Sequence, residues 1–146
     1  STVAVSSQTN GTIMLIGGIK RIFSTATDYS SVTVANVINA KIVPSNFRIN
    51  GTTDIFNDWG GTIIPAVGIQ GAAIPVTKFK LTISGVTAEQ CADFVNGISS
   101  AAESIWVNGT TVGTHDVKPT ASPVNSGRLI TQCSAGTTSS VIAVIS

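Results

Sequence analysis

Two cysteines, Cys91 and Cys133, and a single histidine, His115, are the residues of this 146-residue chain best suited to nucleophilic, redox or metal chemistry. The cysteines lack a Cys-x-x-Cys spacing, and one histidine adds too few ligands for a tetrahedral metal site. A disulfide between them leaves no thiol over and encloses 41 residues. Loop-closure entropy makes such a staple worth about 4 kcal/mol. The staple is the preferred reading, and a redox or metal pair is the alternative. His115 and Asp116 could serve a Ser-His-Asp triad. No Gly-x-Ser-x-Gly elbow is present, however, and the polar run Thr114-His115-Asp116-Val117-Lys118 reads as solvated surface. The seven carboxylates, Asp28, Asp54, Asp58, Glu89, Asp93, Glu103 and Asp116, show no pairing of the kind acid/base catalysis needs. Asp54, Asn57 and Asp58 hint at calcium, but Phe56 and Trp59 break the ligand spacing, so a turn is expected. No catalytic residue, metal or cofactor is expected.

Asn-Gly-Thr occurs at 10–12, 50–52 and 108–110. Each is formally a glycosylation sequon. Asn-Gly is also a strong tight-turn dipeptide, so turns are expected at 50–51 and 108–109 and a helix cap at Asn10. Trp59, Trp106 and Tyr29 form no evident stacking platform, and core packing is their default.

Charged residues make up 10% of the chain, against about 25% in an average soluble domain. Serine and threonine, 36 together, do much of the solubilising. The net charge is +1, and Lys78 with Lys80 is the densest positive pair, so nucleic acid is not an expected partner. Mean hydropathy is high at +0.38. Even so, the run from Ile13 to Ile19 falls far short of the roughly 20 residues that cross a bilayer. No signal peptide is visible. Low charge, abundant hydroxyls and one possible disulfide point to an oxidising, extracytoplasmic setting. An assembly or binding protein fits these features better than an enzyme.

The size is that of one domain. Residues 1–7 are small and polar, with frayed structure expected. Gln8 to Thr27 carries Leu15, Ile19, Ile22, Phe23 and Ala26 at helical spacing, weakened by Gly11, Gly17 and Gly18 at about 1 kcal/mol each. Asp28-Tyr29-Ser30-Ser31 reads as a turn and cap. Val32 to Val43 is expected as a second helix, with strand as its rival because it is β-branched, and Pro44 ends it. Ser45 to Gly61 reads as loop. Thr62 to Ile69 reads as a strand interrupted by Pro65, hence an edge or bulge. Pro75 opens the clearest strand, with Phe79, Leu81 and Ile83 on one face and Lys78, Lys80, Thr82 and Ser84 on the wet one. Thr87 and Gln90 predict a capping box, followed by a helix that buries Cys91, Phe94, Val95 and Ile98 and bonds Cys91 toward the sheet. Ser104 to Val112 predicts a hairpin around Asn108-Gly109, and Thr114 to Gly127 a loop. Arg128 to Cys133 predicts a short strand. Ser139 to Ser146, rich in Val141, Ile142, Val144 and Ile145, predicts a central strand. The expected fold class is α+β, with helices covering an antiparallel sheet.

The stretch from Phe79 to Cys91, a strand followed by Gly85-Val86-Thr87 and a helix bearing the first cysteine, resembles the type IV pilins of the type IVb, toxin-coregulated-pilus class. Asp54-Ile55-Phe56 before a Gly-rich strand is similar too, as is the late cysteine before a Val/Ile-rich final strand. The resemblance spans nearly the whole chain. It implies an N-terminal amphipathic helix packed on an antiparallel sheet. Residues 1–27 would be the soluble half of a longer helix, 28–61 a helix and loop connection, and 62–146 the sheet with a disulfide-bounded region at 91–133. Such pilins begin with a membrane-spanning helix bearing a Glu near its tip, which this chain lacks, so a truncated, soluble piece is expected. The implied function is the structural subunit of an extracellular filament, assembled from the inner membrane through the periplasm of a Gram-negative bacterium. It would serve adhesion, aggregation or DNA transfer. Its partners would be copies of itself, the pilus assembly machinery and a host-cell receptor, with the membrane reached only through the missing segment. Leu15, Ile19 and Ile22 would contact other subunits. Rival readings are a minor pilin or secretion-system pseudopilin, a secreted carbohydrate-binding module or hydrolase, and an all-β chaperone–usher subunit.

Overall fold

Period-3.6 patterning at the start of the chain and period-2 patterning in its middle set the two layers of this α+β domain. The computed structural model describes residues 3–23, 28–68 and 76–146. Helix α1 spans Val5–Phe23 and begins earlier than the sequence suggested, within the stretch expected to fray. The expected helical residues Ala26 and Thr27, Ile69 at the end of the Pro65 strand, and the strand-opening Pro75 lie outside the described residues.

Two glycines that weaken α1 in isolation are explained by what packs on them. A Cβ at Gly11 would lie 2.8 Å from Asn46 and Phe47, and one at Gly18 would lie 3.0 Å from Ile42. The segment at 42–47 presses onto the helix there. Gly17 has nothing within 4 Å.

Helix α2 is shorter than expected, Val34–Asn39. Thr33 caps it by accepting from the Asn36 N–H at 3.1 Å, and the chain leaves the helix at Lys41, where φ is +60°. Pro44 is therefore not what stops it. The expected loop at 45–61 contains a small hairpin, β1 (Arg48–Asn50) paired antiparallel with β2 (Asp54–Phe56). Its turn begins at the Asn-Gly pair, with Gly51 at φ +56°. Two three-residue strands are too short to leave an alternating pattern in the sequence.

The main sheet is antiparallel in the order β3-β4-β6-β5, with β3 at Ile63–Val67 and β4 at Phe79–Thr87. Helix α3 (Ala88–Ile98) follows β4 directly. Next come a short 3-10 turn (Ser99–Ala101), β5 (Ser104–Val107), helix α4 (Ser126–Cys133) and β6 (Thr138–Ile145). β6 lies between β4 and β5, as its continuous apolar run implied.

The register builds the core in rows. Ile63, Ile83, Val141 and Val107 align across four strands, and Leu81, Ala143 and Ile105 form the next row. All of these are at most 1% exposed. Fully burying each large side chain is worth about 1.5–3 kcal/mol. The opposite face carries Ile64, Thr82, Ile142 and Trp106 in one row, and it is more exposed. α1 and α3 pack together, with Thr9 against Gly97, and Leu15, Ile19, Phe94 and Ile98 belong to the same buried core.

Pro65 sits in edge strand β3, as its missing donor requires. The Gly68 N–H donates to Lys78 O and Ser84 N–H to Thr62 O. By antiparallel alternation, the even-numbered residues of β3 pair inward and Pro65 faces the open edge. Its lack of an N–H therefore weakens that edge as a template for a further strand.

A bulge between Ile83 and Val86 bends β4. Gly85 adopts φ +76° there, and a Cβ on the adjoining Gly61 would lie 2.0 Å from the Ser84 carbonyl oxygen. Only glycine fits at that approach.

Three sequence expectations fail for identifiable reasons. Thr87 makes no side-chain cap. It is held instead in the ladder opposite Thr138, while the Ala88 N–H donates to Thr137 O. Gln90 does not close a capping box, because its amide bridges Trp59 and Val3. The predicted hairpin at 104–112 is absent, since β5 pairs with β6. Finally, residues 128–133 are helical, not a strand. Asn125 starts that helix by accepting from the Arg128 N–H at 3.0 Å.

Candidate functional site

Helix α1 has two unlike sides. Leu15 and Ile19 are 0% exposed and belong to the domain's own core. They were expected to touch other subunits, but they offer no surface for it. The helix is rotated so that its Leu15/Ile19 stripe meets α3 and the core. Of the expected contact residues, Ile22 is on the surface at 39% exposure, and Ile13 at 38% and Met14 at 59% are exposed elsewhere on the helix. Asn10, Gly17, Lys20 and Arg21 are exposed beside them. The two cations fall in the last turn, where they complement the negative end of the helix dipole. Asn10 is inside α1 and is not its cap.

The second candidate region is bounded by the disulfide. Cys91 in α3 bonds Cys133 at the end of α4, with Cα atoms 5.6 Å apart. The bond joins helix to helix, not helix to sheet as expected, because 128–133 folds as α4. Both sulfurs are shielded, with Cys91 at 0% and Cys133 at 4% exposure.

The segment between β5 and α4 is polar in sequence yet tightly tied. Ile105 and Lys118 exchange two backbone bonds at 3.0 and 3.1 Å. The Asn125 N–H donates to Val117 O at 2.7 Å, and Ala121 N–H to Glu103 O at 3.0 Å. Asp116 is buried; its Oδ1 accepts from the Gly113 N–H at 2.7 Å and meets the Arg128 guanidinium at 3.3 Å. Asn108, at φ +61°, accepts from the Ser140 N–H and donates to Gln132 O and Ser139 Oγ. The sequence carried no signal for Asp116 as an anchor, since its partners come from a loop and a helix. A cleft of about 270 Å³ lies between Gly113-Thr114 and Arg128, Thr131 and Gln132 of α4. Val112 and Ile130 stand exposed in the same region.

The other residues with chemical potential are occupied structurally. His115 Nδ1 lies 2.9 Å from Val107 O, and its ring packs against Gly109. The Asp116 contacts given above are to Gly113 and Arg128, so the two do not form a relay. Asp54 accepts from Thr53 Oγ1 at 2.8 Å within the hairpin turn. The Asp28 carboxyl is held below the usual carboxylate range by the Ser30 hydroxyl and N–H. Among the described residues, no cluster of three or more His, Cys, Asp or Glu could hold a metal ion. Trp59 packs edge-on to Phe94 with centroids 5.1 Å apart. Its Nε1–H donates to Gln90 at 2.7 Å.

Sequence reasoning also missed a polar knot at the top of α1. Asn57 is 0% exposed. It accepts from the Trp59 and Gly61 N–H groups and donates to Ser84 O. Buried Gln8 accepts from the Asp58 N–H at 3.0 Å. The only advance signal was an asparagine three residues before Gly-Gly. No helix among the described residues is long and apolar enough to cross a membrane.

No curated protein sequence matches the chain. Solved structures share its fold, among them two type IV pilins. The type IV b pilin from Salmonella typhi superposes with a TM-score of 0.63 at 20% identity, covering 90% of this chain and 93% of that one. TcpA, a type IV pilin from Vibrio cholerae El Tor biotype, gives a TM-score of 0.67 at 14% identity, covering 97% and 98%. At such identities the likeness speaks for the fold alone. The family model described as PilS N terminal matches residues 2–146, so this chain, with its type IVb pilin fold, belongs to the PilS N-terminal family.

Proposed function

We propose that this chain is the structural subunit of a type IV pilus, assembling with copies of itself into an extracellular filament. One observation supports the reading above the others. The outward side of α1 presents Ile13 and Met14, and Ile22, seven residues after Leu15 on the Leu15/Ile19 stripe, is exposed in the last turn of the helix. Clustered apolar exposure marks an interaction surface more often than chance. Lys20 and Arg21 are the charges beside that face, and burial of apolar area supplies the assembly energy. The contact set is therefore Ile13 and Met14 on the outward side and Ile22 at the end of the helix, while Leu15 and Ile19 hold the helix to its own subunit. Adhesion, cell aggregation or DNA transfer belongs in this reading to the disulfide-bounded region, where Val112, Ile130 and the Arg128 cleft face outward. Host receptor and assembly machinery are partners in the same proposal.

Substituting Met14→Glu, in the protein expressed in its natural host, tests the reading. At 59% exposure the change should leave subunit stability within about 0.5 kcal/mol of wild type. Filament number per cell, counted by electron microscopy, should fall sharply. Filaments in normal number with the variant subunits incorporated would remove α1's outward face from the assembly.

A further inference from the structure

Four Asn-Gly pairs occur in the chain, at 10–11, 50–51, 96–97 and 108–109. Asparagine before glycine is chemically labile. With no Cβ on the following residue, its backbone nitrogen can reach the asparagine side-chain carbonyl. Whether it does depends on how each pair is held.

Three of the pairs are restrained. Asn10-Gly11 lies inside α1, with Gly11 buried against Asn46 and Phe47. Asn96-Gly97 lies inside α3, with Gly97 packed on Thr9. The Asn108 side chain is clamped by its bonds to Gln132, Ser139 and Ser140. Asn50-Gly51 differs on every count. Both residues are exposed, Gly51 sits in the turn at φ +56° with open space around it, and no hydrogen bond engages the Gly51 N–H among the described residues. The Asn50 amide has a single long contact, 3.4 Å to Asp54 Oδ2, which is too weak to fix it.

We propose that Asn50 is a site of spontaneous covalent modification, converted to aspartate or isoaspartate with water as the only co-reactant. The Gly51 nitrogen bonds to Asn50 Cγ, the Cγ–Nδ2 bond breaks, and ammonia leaves carrying the Gly51 amide proton. Water then adds to either carbonyl of the cyclic imide. Opening at Cγ yields aspartate; opening at the backbone carbonyl yields isoaspartate. No electrons are transferred. The product carboxylate faces Asp54 directly across the β1–β2 pair, where like charges oppose pairing. It also takes the formal net charge from +1 to zero, removing charge repulsion between copies.

Folded protein incubated at neutral pH and sampled by peptide mass spectrometry tests this. Asn50 should convert at least about tenfold faster than Asn10, Asn96 or Asn108, because those three wait on local opening. In concentrated urea the four rates should converge. Asn50 converting no faster than the other three in the folded protein would overturn the proposal, as would a preference for Asn50 that persists in urea. An Asn50→Gln variant should lose the acidic species that accumulates on isoelectric focusing, and an undiminished acidic species in that variant counts against the site.

Discussion

Asp116 and Asn57 carry more of this structure than their neighbours in sequence suggest. Asp116 lies in a stretch of polar residues and prolines, yet it is 5% exposed and fastens the Gly113 turn to Arg128 of α4. Its removal leaves the Gly113 N–H unpaired and takes the ion pair from the Arg128 guanidinium, which keeps its bond to the Asp116 backbone carbonyl. Asp116→Ala should therefore cost about 1–3 kcal/mol, measured by chemical denaturation. Amide exchange should speed up in residues 108–125 before it does in β4. His115, its neighbour and the obvious candidate for chemistry, lies against a backbone carbonyl.

At the scale of elements, the adjacent glycines of α1 divide by what each one faces. Gly17 looks into open space, and Gly18 faces Ile42 at 3.0 Å. Replacing Gly17 by alanine should stabilise the isolated subunit by about 1 kcal/mol through helix propensity alone. The same change at Gly18 gains the propensity but forces Ile42 to move, and overpacking of that kind costs about 1–3 kcal/mol. Thermal melts of the two variants should thus shift in opposite directions. Two shifts of the same sign would show that 42–47 yields freely to the helix. A stabilised Gly17→Ala subunit that assembles poorly would, in addition, place that glycine at a subunit contact.

For the whole molecule, the disulfide links the last helix to the helix over the sheet, and with it the entire segment from β5 to β6. Exchanging both cysteines for serine should lower stability by about 2–4 kcal/mol, read as a drop in Tm. Because both sulfurs are shielded, a reducing agent without denaturant should act slowly on the native protein. The β4–β6 pairing is the most extensive in the sheet and should outlast α4 as denaturant is raised in the serine variant. Equal protection of α4 and β6 would mean that the staple is redundant with packing.

Strands β4 and β6, the inward stripe of α3, the edge position of Pro65 and the partnership of the two cysteines were determined by the chain itself. Each rests on a local or compositional rule: period-2 alternation in Phe79-Leu81-Ile83, period-3.6 burial of Cys91, Phe94, Val95 and Ile98, a missing N–H, and a count of two thiols. Other features were decided only in three dimensions. Which side of α1 turns outward depends on where α3 and the 42–47 segment lie, because Ile13, Met14 and Ile16 add apolar residues off the Leu15/Ile19 stripe. Residues 128–133 became a helix through the Asn125 cap and the disulfide, in a run too short for periodicity to distinguish it from a strand. Likewise the exposure of Asn50 and the confinement of Asn108, identical triplets in sequence, follow from partners that lie 24 or more residues away or, for Asn50, from the absence of such partners among the described residues.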